Sequence, residues 1–116
     1  MLAAIAQHRA ASPAACDTML AILGRQEFNE GIPVGLPAGT RVAHKTGWIG
    51  EVVYHDAAVV YPPRGGGGGG GGAYVLVVLT GGIKEDSVAH NLVGDLSRTV
   101  FEAGASRGRA DPRPMR

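Results

Sequence analysis

Three β-prone segments follow one another with no helix-length pattern between them: "RVAHKTG" over 41–47, "VVYHDAAVVY" over 52–61 and "AYVLVVLT" over 73–80. They are rich in Val and Tyr, which suit a pleated, half-buried surface. "WIGE" reads as the turn between the first two, and "PPRGGGGGGGG" joins the second to the third. Successive strands most simply connect as an antiparallel meander. Residues 75–79 are continuously apolar, the pattern of a strand buried on both sheet faces.

Helical patterns flank the strands. Leu2, Ile5 and Ala6 recur at helical spacing over residues 2–10. "SPAACDTMLAILGRQEF" places Ser12 as an N-cap and Pro13 at the first helical position. Cys16, Met19, Leu20 and Leu23 then share one apolar face. Residues 29–40, "NEGIPVGLPAGT", are too rich in glycine and proline for anything but a loop. A second helix is expected over 86–103, with Val88, Leu92, Leu96 and Val100 as its inward stripe, joined by Phe101. The fold class is therefore α+β, an antiparallel sheet of three strands with helices across it.

A chain of 116 residues fits one small domain, with a marginal core. Residues 1–104 are assigned to that domain and 105–116 to a disordered tail. The tail holds Arg107, Arg109, Arg113 and Arg116 against Asp111; it reads as a solvated terminus, with an anion-binding arm as the alternative. The octaglycine run, 65–72, reads as a hairpin loop, because strands flank it closely. The alternative is a linker. A phosphate-cradling role is excluded, since no Lys-Ser or Lys-Thr follows it and a strand stands where a helix is needed.

Net charge is +1, so no global field recruits nucleic acid or a membrane surface. No apolar run approaches the ~20 residues that span a bilayer. "MLAAIAQHRAAS" is too short and too polar for a signal peptide, so the compartment is not written in these residues. The single Cys16 excludes an internal disulfide. His8, His44, His55 and His90 show no metal-ligand spacing, and neither a metal nor a cofactor is expected.

Lys45-Thr46-Gly47 is the motif with chemistry. As a phosphate loop it fails twice, because His44 precedes the lysine and another strand follows. On a strand, Arg41, Ala43 and Lys45 share one face while His44 and Thr46 share the other. Lys45 offers a fixed cation, Thr46 a hydroxyl donor, and Gly47 a backbone that a ligand can lie against. An edge strand could pair with an extended, amide-like substrate, and the Trp48 backbone N–H could serve as an oxyanion donor. Arg41 lies ~13 Å along the strand from Lys45, so the two cannot grip one small anion. Taken alone, three such common residues read first as a solvated strand end. His55 and Asp56, adjacent on a strand, point to opposite faces and read as structural rather than as a catalytic pair.

The run "MLAILGRQEFNEGIPVGLPAGTRVAHKTGWIGEVVYHDAAVVYPP" resembles a class A β-lactamase around its third core strand, and the resemblance resumes at "YVLVVLTGGI" and "VAHNLVGDLSRTVFEA". It covers residues 12–103 in the family's order. Lys-Thr-Gly belongs to the penicillin-recognising serine enzymes, with Ser-x-x-Lys and Ser-Asp-Asn. The resemblance implies a serine acyl-transfer hydrolase that opens a β-lactam amide, taking a small β-lactam or peptide-like carboxylate as substrate. Lys45 would match the catalytic lysine of the third motif, Thr46 and Gly47 the substrate-binding positions, and the Trp48 N–H an oxyanion donor. Family members are usually periplasmic or secreted.

The departures are equally specific. Ser12, Ser87, Ser97 and Ser106 have no Lys three residues on, and there is no Ser-Asp-Asn. The chain therefore reads as a carboxyl-terminal segment without a nucleophile, unable to form an acyl-enzyme. Its apolar last strand would be an unpaired edge and a cause of poor solubility. The alternatives are a penicillin-binding D-alanyl-D-alanine peptidase or transpeptidase, a non-catalytic binding module, and a decayed reading frame. The meander would put the octaglycine near Thr40, at the opposite end from Trp48.

Overall fold

The computed structural model describes residues 1–50, 52–63 and 72–109, with no account of the side chains of 105–109. Two helices come first, α1 (Leu2–Ala6) and α2 (Pro13–Leu23), then a single 3-10 turn, Ile32–Gly35. The strands β1 (Arg41–Ile49), β2 (Val53–Tyr61) and β3 (Tyr74–Leu79) follow, and α3 (Asp86–Arg109) closes the chain. The sheet is an antiparallel meander in the order β1-β2-β3, as the spacing of the strands required. Its register pairs Arg41 with Tyr61, Lys45 with Ala57 and Ile49 with Val53, and then Ala57 with Val77.

Several boundaries differ from those expected. The first helix ends at Ala6 rather than residue 10, because His8 takes a left-handed conformation, φ 57°, which a helix cannot continue through. β1 runs on through Trp48 and Ile49, which pair with Tyr54 and Val53; the turn is left to Gly50, whose φ of +59° suits glycine. The loop 29–40 contains a helical turn. α3 extends past residue 103 to Arg109, while residues 51, 64 and 110–116 and residues 65–71 of the octaglycine lie outside the described residues. The Ser12–Pro13 start of α2 stands as read, with Ser12 Oγ accepting from Ala15 N at 3.1 Å.

The main core lies between the sheet and the carboxyl-terminal helix. Tyr54, Ala58 and Val60 of β2 and Val78 of β3 meet Ile32 of the turn and Ala89 and Val93 of α3. Contact between the 3-10 turn and α3 is backbone to backbone. A Cβ on Gly35 would stand 2.0 Å from the Gly94 carbonyl oxygen and 2.7 Å from Arg98 N, so only glycine fits. Ser97, fully buried, donates from Oγ to the Ile32 carbonyl at 2.8 Å. The other sheet face carries α1 and α2, with Ile5, Cys16, Ala43 and Val59 buried.

Two expected buried surfaces are exposed. β3 is not covered on both faces: Val75, Val77 and Leu79 are 40%, 52% and 70% exposed, and only Val78 of the strand is buried. On α3 the apolar stripe Val88, Leu92, Leu96 and Val100 faces outward, and Ala89, Val93, Ser97 and Phe101 face in. The close approach at Gly35 and Gly94 lies on the inward face of the helix. On α2, Cys16 is fully buried while Met19, Leu20 and Leu23 of the same face are half-covered.

Candidate active-site wall

Lys45, Thr46, Gly47 and Trp48 lie in the carboxyl-terminal half of β1, an edge strand that pairs with β2 alone among the described residues. An edge strand turns N–H and C=O groups outward at intervals along its free side. The condition for pairing with an extended ligand is therefore met. Lys45 is exposed, Thr46 and Gly47 are half-buried, and the Trp48 ring is exposed. The Lys45 ammonium donates to the carbonyl of its neighbour Thr46 at 2.5 Å. It has no acidic partner among the described residues, which leaves its charge available to an anion.

Gly47 is informative because the fold does not demand it. A Cβ there would meet the His55 Cβ at 3.7 Å, an ordinary contact, and its φ is not in the left-handed region. The missing side chain leaves the backbone open at this point of the strand. On the Lys45 side of the sheet lies a cavity of about 510 Å³, lined by Lys45, Gly47 and His55 and by the α1 and α2 residues Leu2, Ile5 and Leu23. Its walls are apolar except at the sheet, where Lys45 is the one lysine or arginine of the lining.

The opposite face of β1 is locked. His44 and Asp56, both buried, meet at 2.9 Å between Nδ1 and Oδ1. His44 Nε2 lies 2.9 Å from Asn29 Oδ1, and the second Asp56 oxygen accepts from Ile32 N at 3.0 Å. This network ties β1, β2 and the 29–32 loop together directly behind the motif. It was not visible in the sequence: alternation put His44 and Thr46 on one face, but nothing there places Asp56 opposite Thr46. Gly31 makes room for it, since a Cβ would fall 2.6 Å from the Tyr54 hydroxyl and 2.8 Å from Asp56 Oδ2. Burial, the Asp56 charge and Glu30 push the Tyr54 phenol up to about 12. Burial likewise raises that of Tyr74.

His55 points the other way, and its Nδ1 accepts from Thr80 N at 3.1 Å; it shares no partner with Asp56 and forms no pair with it. Arg41 stacks on Tyr61, 4.5 Å from guanidinium to ring centroid, at the far end of β1. Ser12 is occupied in capping α2, and Ser97 is buried under the 3-10 turn. Neither stands beside Lys45. Among the described residues no three His, Cys, Asp or Glu side chains converge as a metal would need.

Comparison with known proteins agrees with this layout. The family model described as the β-lactamase enzyme family matches residues 1–103. Among solved structures, PBP-A is 32% identical with a TM-score of 0.77, over 88% of this chain and 36% of that one. A β-lactamase from Sphaerobacter thermophilus is 27% identical, TM-score 0.77, over 96% of this chain and 39% of that one. An ancestral class A β-lactamase is 28% identical, TM-score 0.70, over 81% and 35%. The chain thus spans little more than a third of the length of these structures. No curated protein matches it.

Proposed function

The chain belongs to the β-lactamase enzyme family, and from that premise we propose that Lys45–Trp48 forms the carboxylate-binding and oxyanion wall of a class A-type serine β-lactamase site. The observation that carries the reading is Lys45, without an acidic partner among the described residues, on a strand that is an edge among them, beside Gly47, whose bare backbone the fold itself does not require. Lys45 and Thr46 point to opposite faces of β1, but the Lys45 ammonium reaches round to the Thr46 carbonyl, so its cation and the Thr46 hydroxyl meet a substrate carboxylate from the two sides of the strand's free edge. The ligand's amide lies along the strand at Gly47, and its carbonyl oxygen accepts from the Trp48 N–H, where negative charge develops as the amide is attacked. The cavity on the Lys45 side is walled by apolar side chains of α1 and α2.

Attack itself requires an activated nucleophile, and these 116 residues contain no Ser-x-x-Lys. The chain by itself therefore binds without turning over. The likeness to PBP-A, solved also as an acyl-enzyme with penicillin G, supports a second reading, a penicillin-binding peptidase or transpeptidase built on the same wall.

The test is titration of the isotope-labelled chain with benzylpenicillin, followed through its backbone amides. Shifts centred on residues 45–48 that vanish in Lys45→Ala are expected. Shifts elsewhere, or a Lys45→Ala chain that responds like the parent, would favour a non-catalytic module. Measurable hydrolysis of a chromogenic cephalosporin would contradict the absence of turnover.

A further inference from the structure

Behind the wall, the hydrogen bonds of His44 fix more than its position. Asn29 donates through Nδ2 to the Gln26 carbonyl at 3.0 Å. Rotating the amide would set Oδ1 against that carbonyl, acceptor against acceptor, so Oδ1 is the atom that faces His44 Nε2 at 2.9 Å. An amide oxygen only accepts; Nε2 therefore carries hydrogen. On the other side, Asp56 Oδ1 stands 2.9 Å from Nδ1, while Oδ2 already accepts from Ile32 N. The 2.9 Å approach needs a proton between Nδ1 and Oδ1, and with Oδ2 already accepting from a backbone N–H the Asp56 side chain is placed to accept on both oxygens, which puts that proton on the imidazole. Both ring nitrogens then donate, and the pair is a buried imidazolium–carboxylate.

We propose that His44 is a positioning and charge-cancelling residue for the Lys45–Thr46 wall. Asp56 is the register partner of Thr46 across the β1–β2 ladder and is fully buried. An uncompensated carboxylate there would stand directly behind the hydroxyl that receives the ligand's carboxylate, and would repel it. The His44 cation removes that repulsion and anchors β1 to β2 and to Asn29, leaving Lys45 as the charge an anionic ligand meets. The titratable groups around the pair include Tyr54 beside Asp56 and Glu30 before the 3-10 turn, with His90 of α3 edge-on to the Tyr54 ring at 4.5 Å. Tyr54 is held neutral, so it adds no second negative charge beside Asp56. This role rests on the proposed function, but the charge state does not.

Two measurements test it on the 116-residue chain. The first counts one-bond N–H correlations on the His44 ring at neutral pH. Two are expected; a single one, as in a neutral imidazole beside a protonated Asp56, overturns the inference. The second compares benzylpenicillin binding in His44→Gln and in the double variant His44→Gln/Asp56→Asn. His44→Gln leaves the Asp56 charge bare and weakens binding about tenfold; the double variant removes that charge and restores most of it. If both variants bind equally weakly, the network is only structural and the charge-cancelling role is wrong. If the unaltered chain shows no response to benzylpenicillin, the proposed function fails and takes this role with it. The ring N–H count then still decides the imidazolium assignment.

Discussion

The outward apolar faces of β3 and α3 predict self-association, and the structure sets its size. Full burial of a Val or Leu side chain is worth ~1.5–3 kcal/mol. With Val75, Val77 and Leu79 left 40%, 52% and 70% exposed, the unburied part of the β3 face is worth roughly 2–5 kcal/mol per copy. The α3 stripe of Val88, Leu92, Leu96 and Val100, each 40–49% exposed, adds a similar amount. Two copies that cover both faces recover roughly 10–20 kcal/mol, against an association cost of ~4–15 kcal/mol. The β3 edge adds unpaired backbone groups that a second strand can satisfy. Concentration-dependent dimers or larger species in the micromolar range follow. Light scattering coupled to gel filtration measures this directly. Val77→Lys/Leu79→Lys and Leu92→Glu/Leu96→Glu alter only exposed positions, so each should raise the soluble monomer fraction without loss of helical circular dichroism. A parent chain that stays monomeric at high micromolar concentration, or variants that associate as strongly as the parent, would refute the burial argument.

Three other outcomes follow from named contacts. Gly35→Ala would drive a methyl into the Gly94 carbonyl, 2.0 Å away, and should cost ~1–3 kcal/mol as overpacking; faster amide hydrogen exchange along α3 would report it, whereas Gly81→Ala, whose Cβ meets nothing and whose φ is not positive, should leave α3 exchange unchanged. Tyr54, raised to about 12, stays protonated in the fold while the unfolded chain ionises near ~10. The unfolded state then binds fewer protons, so stability is full below ~10 and falls as pH rises toward about 12; Tyr54→Phe should remove that fall and the last step of the phenolate absorbance titration. Asn29→Ala removes the Nε2 acceptor and should raise exchange at the His44 and Ile32 amides together, because one network holds both segments.

What the sequence made legible was order and pairing. Alternating Val and Tyr, together with glycine- and proline-rich breaks, are local signals, and the meander follows from their spacing. Burial was less legible, because it depends on what packs where. "YVLVVL" looks two-sided by composition, yet no described element covers its Val75–Val77–Leu79 face. On α3 the large residues Val88, Leu92, Leu96 and Val100 mark one stripe, but the buried one is Ala89, Val93, Ser97 and Phe101, and Gly94 beside it lets the 3-10 turn approach. A hydrophobicity pattern does not register that kind of contact. The wall itself was visible as Lys-Thr-Gly, since its chemistry is contiguous along one strand. The His44–Asp56–Asn29 network was not, because it joins three segments through a register that appears only on folding.

The central claim is that this chain carries the binding wall of a β-lactam site without its nucleophile. Intact-mass spectrometry after incubation with benzylpenicillin tests it most directly. The account predicts an unmodified chain alongside reversible shifts at residues 45–48. A covalent adduct of one penicillin per chain would show that a nucleophile is present after all and would contradict it.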